Sequence, residues 1–497
     1  MKKIAFVTPW PPQKSGISDY VYDLIKGLSK FDIQIEVYSN CQTPKKLDRV
    51  NVFNINETAI NSRDDYDLIV YHIGNNIEYH GYIIDLLKKH GGVVHLHDMV
   101  LLHMMIAHKK SNLLELSSSV DKWYGKTISL LFQKLIKLDN TFLYEDIVTH
   151  IPMFEEVLQH ADSCIVHSEY VKKRIRNVFP YIETHRIDHL FYNQNIIKTL
   201  HDNKKKTFRI GVFGGVEKNR HVDMIIMSCA QLLKEGFELE LYIAGQVGCD
   251  CVDIYKLVNR LGISKKVYIF GRVDLEKFEE LLAQSDVVVS LRNPTMGETS
   301  GVVMRAIQRA IPVIVSKTGW YSELPGFVDK VPLVNMKDEL TKILKKYFIK
   351  EYYDKKKNAF IEYSEKHLNF TKAVATYHEI LRAKKKDKDC LSKVLNRKLD
   401  SLEIKNNLLR EIPFKKLTNN INNSHENQKE NDLNSKSQWQ LKASDLEKDI
   451  NLKDQKIDLL TKELECVYHS ESYRFFIRPI IWPFLSILKF IFKWRSK

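Results

Sequence analysis

Short apolar runs that alternate with amphipathic stretches are the feature that most limits what this chain can become. KIAFVT is followed by ISDYVYDLIKGLS, in which Ile17, Tyr20, Val21, Leu24 and Leu28 share one helical face, and then by IQIEVYS. The order spelled is strand, helix, strand. DLIVYHIG, GGVVHLHD and SCIVHS continue it, and runs this apolar suit a parallel sheet covered by helices on both faces. The pattern predicts a first α/β domain over residues 1–195. A polar stretch at 202–206 interrupts it as the expected hinge. A second series then runs through FRIGVFGG, LELYIAG, KVYIFGRV, DVVVSLR and PVIVSK, with helical stretches such as DLEKFEELLAQ between them. It predicts a second Rossmann-like domain over 205–382, and a cleft onto which strand C-termini and helix N-termini open.

A chain of 497 residues is too long for one core, and 44% hydrophobic with 28% charged residues sets aside collagen-like, wholly disordered and polytopic membrane classes. The net charge of +14 asks for an anionic partner, for which nucleotide phosphate, nucleic acid and an acidic leaflet all qualify. Aromatic residues and cations form no nucleic-acid reading motif, so nucleic acid is not an expected partner. Seven scattered cysteines lack the spacing of a disulfide framework and suit a reducing compartment. Cys249 and Cys251 have no second pair to complete a zinc site. The apolar run after Met1-Lys2-Lys3 stops at Thr8 and Pro9, which fits a buried first strand and not a signal peptide.

Beyond residue 383 the character changes. Residues 383–437, with AKKKDKD and NNINNSHENQKENDLNSKS, read as a polar charged linker. Over 438–470, Trp439, Ala443, Leu446, Ile450, Lys453, Ile457, Leu460, Leu464 and Val467 recur at coiled-coil spacing, flawed at Lys453, and suggest a homo-oligomer. The tail, 471–497, is too short in its apolar core for the roughly 20 residues of a spanning helix and is broken by Pro479 and Pro483. Trp482, Phe484, Phe490 and Trp494 among Arg478, Lys489, Lys493, Arg495 and Lys497 suit an anionic membrane surface. A helix docked back on the enzyme is the alternative.

Three segments carry candidate chemistry. In TPWPPQKSGISDY, Gly16 opens a helix and lets a phosphate approach its N-terminus, or simply makes the turn. In FGGVEKNRHVDMII, Lys218 and Arg220 stand at a helix start, where cations oppose the dipole unless an anionic ligand lies between them. In RNPTMGETSGVVMRAIQ, Glu298, Thr299, Ser300 and Gly301 precede another helix; the hydroxyls and N–H groups suit a phosphate or a plain N-cap, and Glu298 suits sugar hydroxyls. His72, His80, His95, His97 and Asp98 gather in the first domain. His95 and His97 share a strand face and would ligate a metal only if neighbouring strands supplied the rest, so substrate contact or buried structural roles are the expectation and no metal, with contact favoured at His97-Asp98, which end the strand at the cleft. Lys109-Lys110 and KTISLLFQKLIKL form an amphipathic surface for acceptor, membrane or core.

PP-x(2)-SGISDY, YHIGNN with HLHD, HSEYVKKRI, PTMGETSG with the R-A-I-x(3)-I-P-V-I-V-S phrase, and GWYSELP together resemble family 4 of the retaining GT-B glycosyltransferases, over about Lys2 to Arg382. The resemblance implies two Rossmann-like domains facing across a cleft, a nucleotide-sugar donor as co-substrate, transfer of a hexosyl group with retention, and no metal or other cofactor. It places Gly16 against the donor diphosphate and Arg220 as its basic ligand with Lys218 assisting. It places His97 near the donor sugar, and makes Glu298 the first of a glutamate pair. Two positions depart from the family: Gly215 stands where many members have Arg, and the second glutamate falls on Arg305 counted back from Pro312, or on Ala306 counted forward from Glu298. The expected function is transfer to a lipid-linked or glycan acceptor in surface polysaccharide synthesis, by a cytoplasmic enzyme peripheral on the inner face of the membrane. A GT-B sugar-nucleotide epimerase and a catalytically degenerate membrane scaffold are the alternatives. The sequence leaves front-face attack and a covalent intermediate both open.

Overall fold

The computed structural model describes residues 2–108, 113–137, 149–192, 207–248 and 252–384. The expected hinge at 202–206, Cys249 and Cys251, Lys109-Lys110, nearly all of the linker, the coiled coil and the tail lie outside the described residues. Among those described, no helix is long and apolar enough to cross a membrane.

Among the described residues, two parallel sheets form the frame. The first has seven strands, β1 (Lys2–Val7), β2 (Ile33–Ser39), β3 (Val50–Asn54), β4 (Leu68–Ile73), β5 (Val93–Leu96), β6 (Ser163–Val166) and β7 (Glu183–Arg186), in the order β3-β2-β1-β4-β5-β6-β7. The second has six, β8 (Phe208–Phe213), β9 (Leu239–Ala244), β10 (Val267–Gly271), β11 (Val287–Ser290), β12 (Val313–Ser316) and β13 (Asp329–Val331), in the order β10-β9-β8-β11-β12-β13. Strand order reverses beside β1 and again beside β8, and a doubly wound sheet opens its ligand crevice at such a point. Continuous apolar sequence gave this outcome for a physical reason: β4, β5, β6, β11 and β12 are buried along their whole length, with helices on both faces.

Two of the helices that begin at the cleft are capped by serine. Ser15 accepts from the Ile17 N–H at the start of Gly16–Leu28, and Ser300 accepts from the Val303 N–H at the start of Gly301–Gln308. The predicted face of the first helix is the buried one, with Tyr20, Val21, Leu24, Ile25 and Leu28 in the core. In the helix Lys126–Lys137 the apolar face supplies core residues Ile128 and Phe132.

The helix Phe370–Ala383, assigned by sequence to the second domain, packs on the first. Val374 lies against Gly27, His378 stacks on Phe31 at 4.3 Å between centroids, and the Tyr377 hydroxyl meets His95 Nδ1 at 3.2 Å. Its apolar face, with Val374, Tyr377 and Leu381 buried, packs on the helix Gly16–Leu28.

Candidate active site

A cavity of about 960 Å³ opens between the two sheets' carboxyl ends, and a second of about 510 Å³ adjoins it. Gly16, Gly214, Glu217, Arg272, Val273, Phe278 and Val302 line both. From the first domain comes the N-terminus of Gly16–Leu28. A Cβ built on Gly16 meets no atom within 4 Å, so the backbone there faces open space. The wall continues through His97 and Asp98, directly after β5. Asp98 accepts from the Asn75 N–H at 2.9 Å; burial raises its pKa to about 6 against that bond, with Glu298 and Glu217 adding to the rise.

The second domain supplies the arginines. Gly214, at φ +92°, leaves room for Arg220, whose Nη1 would lie 2.5 Å from a Cβ there. Arg220 Nη1 donates to the Phe213 carbonyl at 3.4 Å, and Nε sits 3.5 Å from a Glu217 oxygen without forming a hydrogen bond. Burial, then Arg292, lower the Arg220 pKa to about 10, which leaves it charged at neutral pH. Lys218 and Arg220 form a 3-10 turn one step ahead of the helix Val222–Lys234, and Arg220 lines the cavity while Lys218 does not. Arg292, which the sequence reading passed over as a strand-end cation, lines it and is buried.

Glu298 joins this group with both oxygens already engaged. Oε1 accepts from Arg292 Nε at 2.7 Å; Oε2 accepts from the Met296 N–H at 2.8 Å and from Thr295 Oγ1 at 3.3 Å. Gly297, at φ +74°, lets this loop approach the other domain: a Cβ there would be 2.5 Å from Met99 Cβ, and the Val100 N–H donates to the Met296 carbonyl at 3.0 Å. Thr299, Ser300 and Gly301 follow along the cavity wall. Of the two ways of counting the second glutamate, the fold turns Arg305 to the cavity and buries Ala306 completely.

Beneath the cavity floor stands a column of buried histidines. His167 Nδ1 lies 3.0 Å from the Ile187 carbonyl, which only accepts, so Nδ1 carries the proton and Nε2 the lone pair. That lone pair is shared by His95 Nε2–H and His97 Nδ1–H, each at 3.2 Å. His97 Nε2 must then accept, from His72 Nδ1–H at 2.9 Å, and His95 Nδ1 accepts from Tyr377. One carbonyl thus fixes four tautomers. Burial first, and the neighbouring imidazoles or basic groups next, hold the pKa of His72, His95, His97 and His189 well below the ordinary value. The strand register supplies what spacing alone left open, since His72 on β4 pairs with His95 on β5. His72, His95 and His97 each bring a ring nitrogen within 4.8 Å of the others. A metal ion held by them would have to displace the bonds just described.

The family model described as group 1 glycosyl transferases matches residues 207–344. This stretch is what the chain shares with the group 1 glycosyl transferases. It holds Glu298, the helix Gly301–Gln308 and every arginine of the cavity wall: Arg220, Arg272, Arg292 and Arg305. Sucrose-phosphate synthase from Thermosynechococcus elongatus aligns over 77% of this chain and 98% of its own, at TM-score 0.54 and 14% identity. HepE from Anabaena, solved with UDP and glucose, covers 77% and 100% at 0.52 and 14%. WaaG, a glycosyltransferase involved in lipopolysaccharide biosynthesis, covers 77% and 100% at 0.51 and 12%. At these identities the likeness is one of fold, and the matched stretch sits in a GT-B architecture. By sequence, no curated protein matches the chain.

Proposed function

We propose that the chain transfers a hexosyl group, with retention, from a nucleoside-diphosphate sugar to a lipid-linked glycan acceptor in surface polysaccharide synthesis. The observation that carries the transfer reaction is the convergence on one cavity of two helix N-termini, at Gly16 and Gly301, with Arg220 and Arg292. Negative charge develops on the leaving diphosphate as the glycosidic bond breaks, and fixed cations and N–H dipoles aimed there stabilise that charge without a metal. Gly16, Arg220 and the Thr299-Ser300-Gly301 N–H groups hold the diphosphate. Lys218, outside the lining, contributes only to the long-range field. Glu298 orients Arg292 and presents its outer face to the sugar. Both nitrogens of His97 are bonded within the protein, so it shapes the wall beside the sugar and does not grip a hydroxyl through nitrogen.

The acceptor and the location rest on the sequence of the tail, whose aromatic residues and cations suit an anionic inner leaflet. The test is hydrolysis by the purified full chain over a panel of nucleotide sugars. Slow release of nucleoside diphosphate from one donor is expected. A chain that neither binds nor cleaves any donor is a scaffold, and the reading fails.

A further inference from the structure

The site lacks the carboxylate that the resemblance places one turn into Gly301–Gln308, and Arg305 stands there instead. A guanidinium only donates, whereas a hydroxyl held firmly needs an acceptor for its proton. The cavity supplies one from the opposite wall. Asp19 lies three residues beyond Gly16 on its helix, as Arg305 lies three beyond Val302 on the other, so each sits one turn behind a residue common to both cavities and on the same helical face.

Both side chains are set for a ligand. Arg305 is clamped: Nη1 donates to Glu279 at 3.0 Å, its guanidinium stacks 3.7 Å from the Phe191 ring centre, and Arg309 holds the other Glu279 oxygen. Its remaining N–H groups have no acceptor among the described residues. The Asp19 carboxylate has no hydrogen-bond or ion-pair partner among them either, while its neighbour Asp23 accepts from the Tyr192 N–H at 2.9 Å. Arg305 is the foremost charge opposing the effect of burial on Asp19, which sets the two in each other's field although no ion pair joins them. A carboxylate and a guanidinium that served only to tie the domains together would close on each other.

We propose that Asp19 and Arg305 hold the vicinal diol of the donor's ribose between them, Asp19 accepting from its hydroxyls and Arg305 donating to their oxygens. The assignment rests on the nucleotide-sugar reading of the same cavity. With the diphosphate at the two helix N-termini, the next group on the nucleoside side falls about 5.4 Å further along each helix, one turn in. Specificity for a hydroxylated ribose is thus divided across the cleft, one half from each domain.

Calorimetry on the full chain tests this with UDP, ADP and GDP, and then with the 2′,3′-dideoxy form of whichever binds best. The native chain is expected to prefer the diol by at least about tenfold, because a site built to bond hydroxyls discriminates strongly against their loss. Asp19→Asn and Arg305→Gln should each cut that preference below about threefold while leaving affinity for the dideoxy form within about twofold, which also shows that the fold is intact. Arg305→Lys, which keeps the charge and loses the fork, should behave like Arg305→Gln. A preference that survives in these variants, or is absent from the native chain, overturns the pair while the donor reading stands. Failure of all three diphosphates to bind overturns both.

Discussion

Glu298 commits both carboxylate oxygens to its own loop, one to Arg292 and one to the Met296 N–H and the Thr295 hydroxyl. Glu298→Gln keeps the shape but removes the charge that aims Arg292, and its amide nitrogen must face one of these donors. The turnover number is expected to fall at least about tenfold, roughly 1.4 kcal/mol of transition-state stabilisation, with thermal unfolding little changed. Full turnover in this variant removes Glu298 from the reaction. Its position was legible in the sequence because small residues and a helix start surround it. Arg292 was not, since nothing in DVVVSLR separates a strand-end cation in solvent from one folded back beneath a loop. Asp19 hid among the polar residues of an amphipathic helix, although its spacing of three from Gly16 was the available signal.

The histidine column belongs to the strands collectively. Pairing of His72 with His95 across β4 and β5 is a matter of register, which periodicity within one strand does not carry. For the same reason β3, β7 and β13, with the sequences VNVFN, ETHR and DKV, escaped notice where the central strands did not: short strands near a sheet's edges are less completely buried and need no apolar run. The column makes the fold sensitive to acid. His72, His95, His97 and His189 are held well below the ordinary imidazole pKa by burial, and His80 and His167 are lowered to about 4 by the same cause. Their native state stays neutral while the unfolded chain takes up protons below pH 6.5, so their contribution is complete above that value and is lost as pH falls. Asp23 and Asp98, raised to about 6, and Glu155, raised to about 7, all chiefly by burial, act oppositely because the native state binds their protons first. Six groups against three leave the balance with the histidines, so stability is expected to fall between pH 7.5 and 5.5. Urea unfolding across that range measures it; a flat profile would mean the column is not neutral and buried as described.

At the scale of the whole molecule, the helix Phe370–Ala383 makes the first domain depend on residues that follow the second. A chain ended at residue 430 retains this helix and is expected to keep donor hydrolysis while losing sedimentation with anionic vesicles. One ended at residue 368 loses the burial of Val374, Tyr377 and Leu381, about 1.5–3 kcal/mol each, against a total stability of about 5–15 kcal/mol. It is expected to melt far lower or to aggregate, and circular dichroism of the two truncations separates the cases. Equal melting would mean that the helix is dispensable. The two-domain layout was written plainly in the strands, but a helix carries no sign of which sheet it will cover. Where this helix ends has its own consequence. Lys2 Nζ donates to the carbonyls of Leu381, Arg382 and Lys384 at 3.2, 2.7 and 2.5 Å, and Lys384 pairs with Glu183 on β7. The chain therefore passes residue 384 moored to the first sheet. Any load applied from beyond that point enters the first domain directly, at the edge strand β7 and the start of β1, and bypasses the cleft.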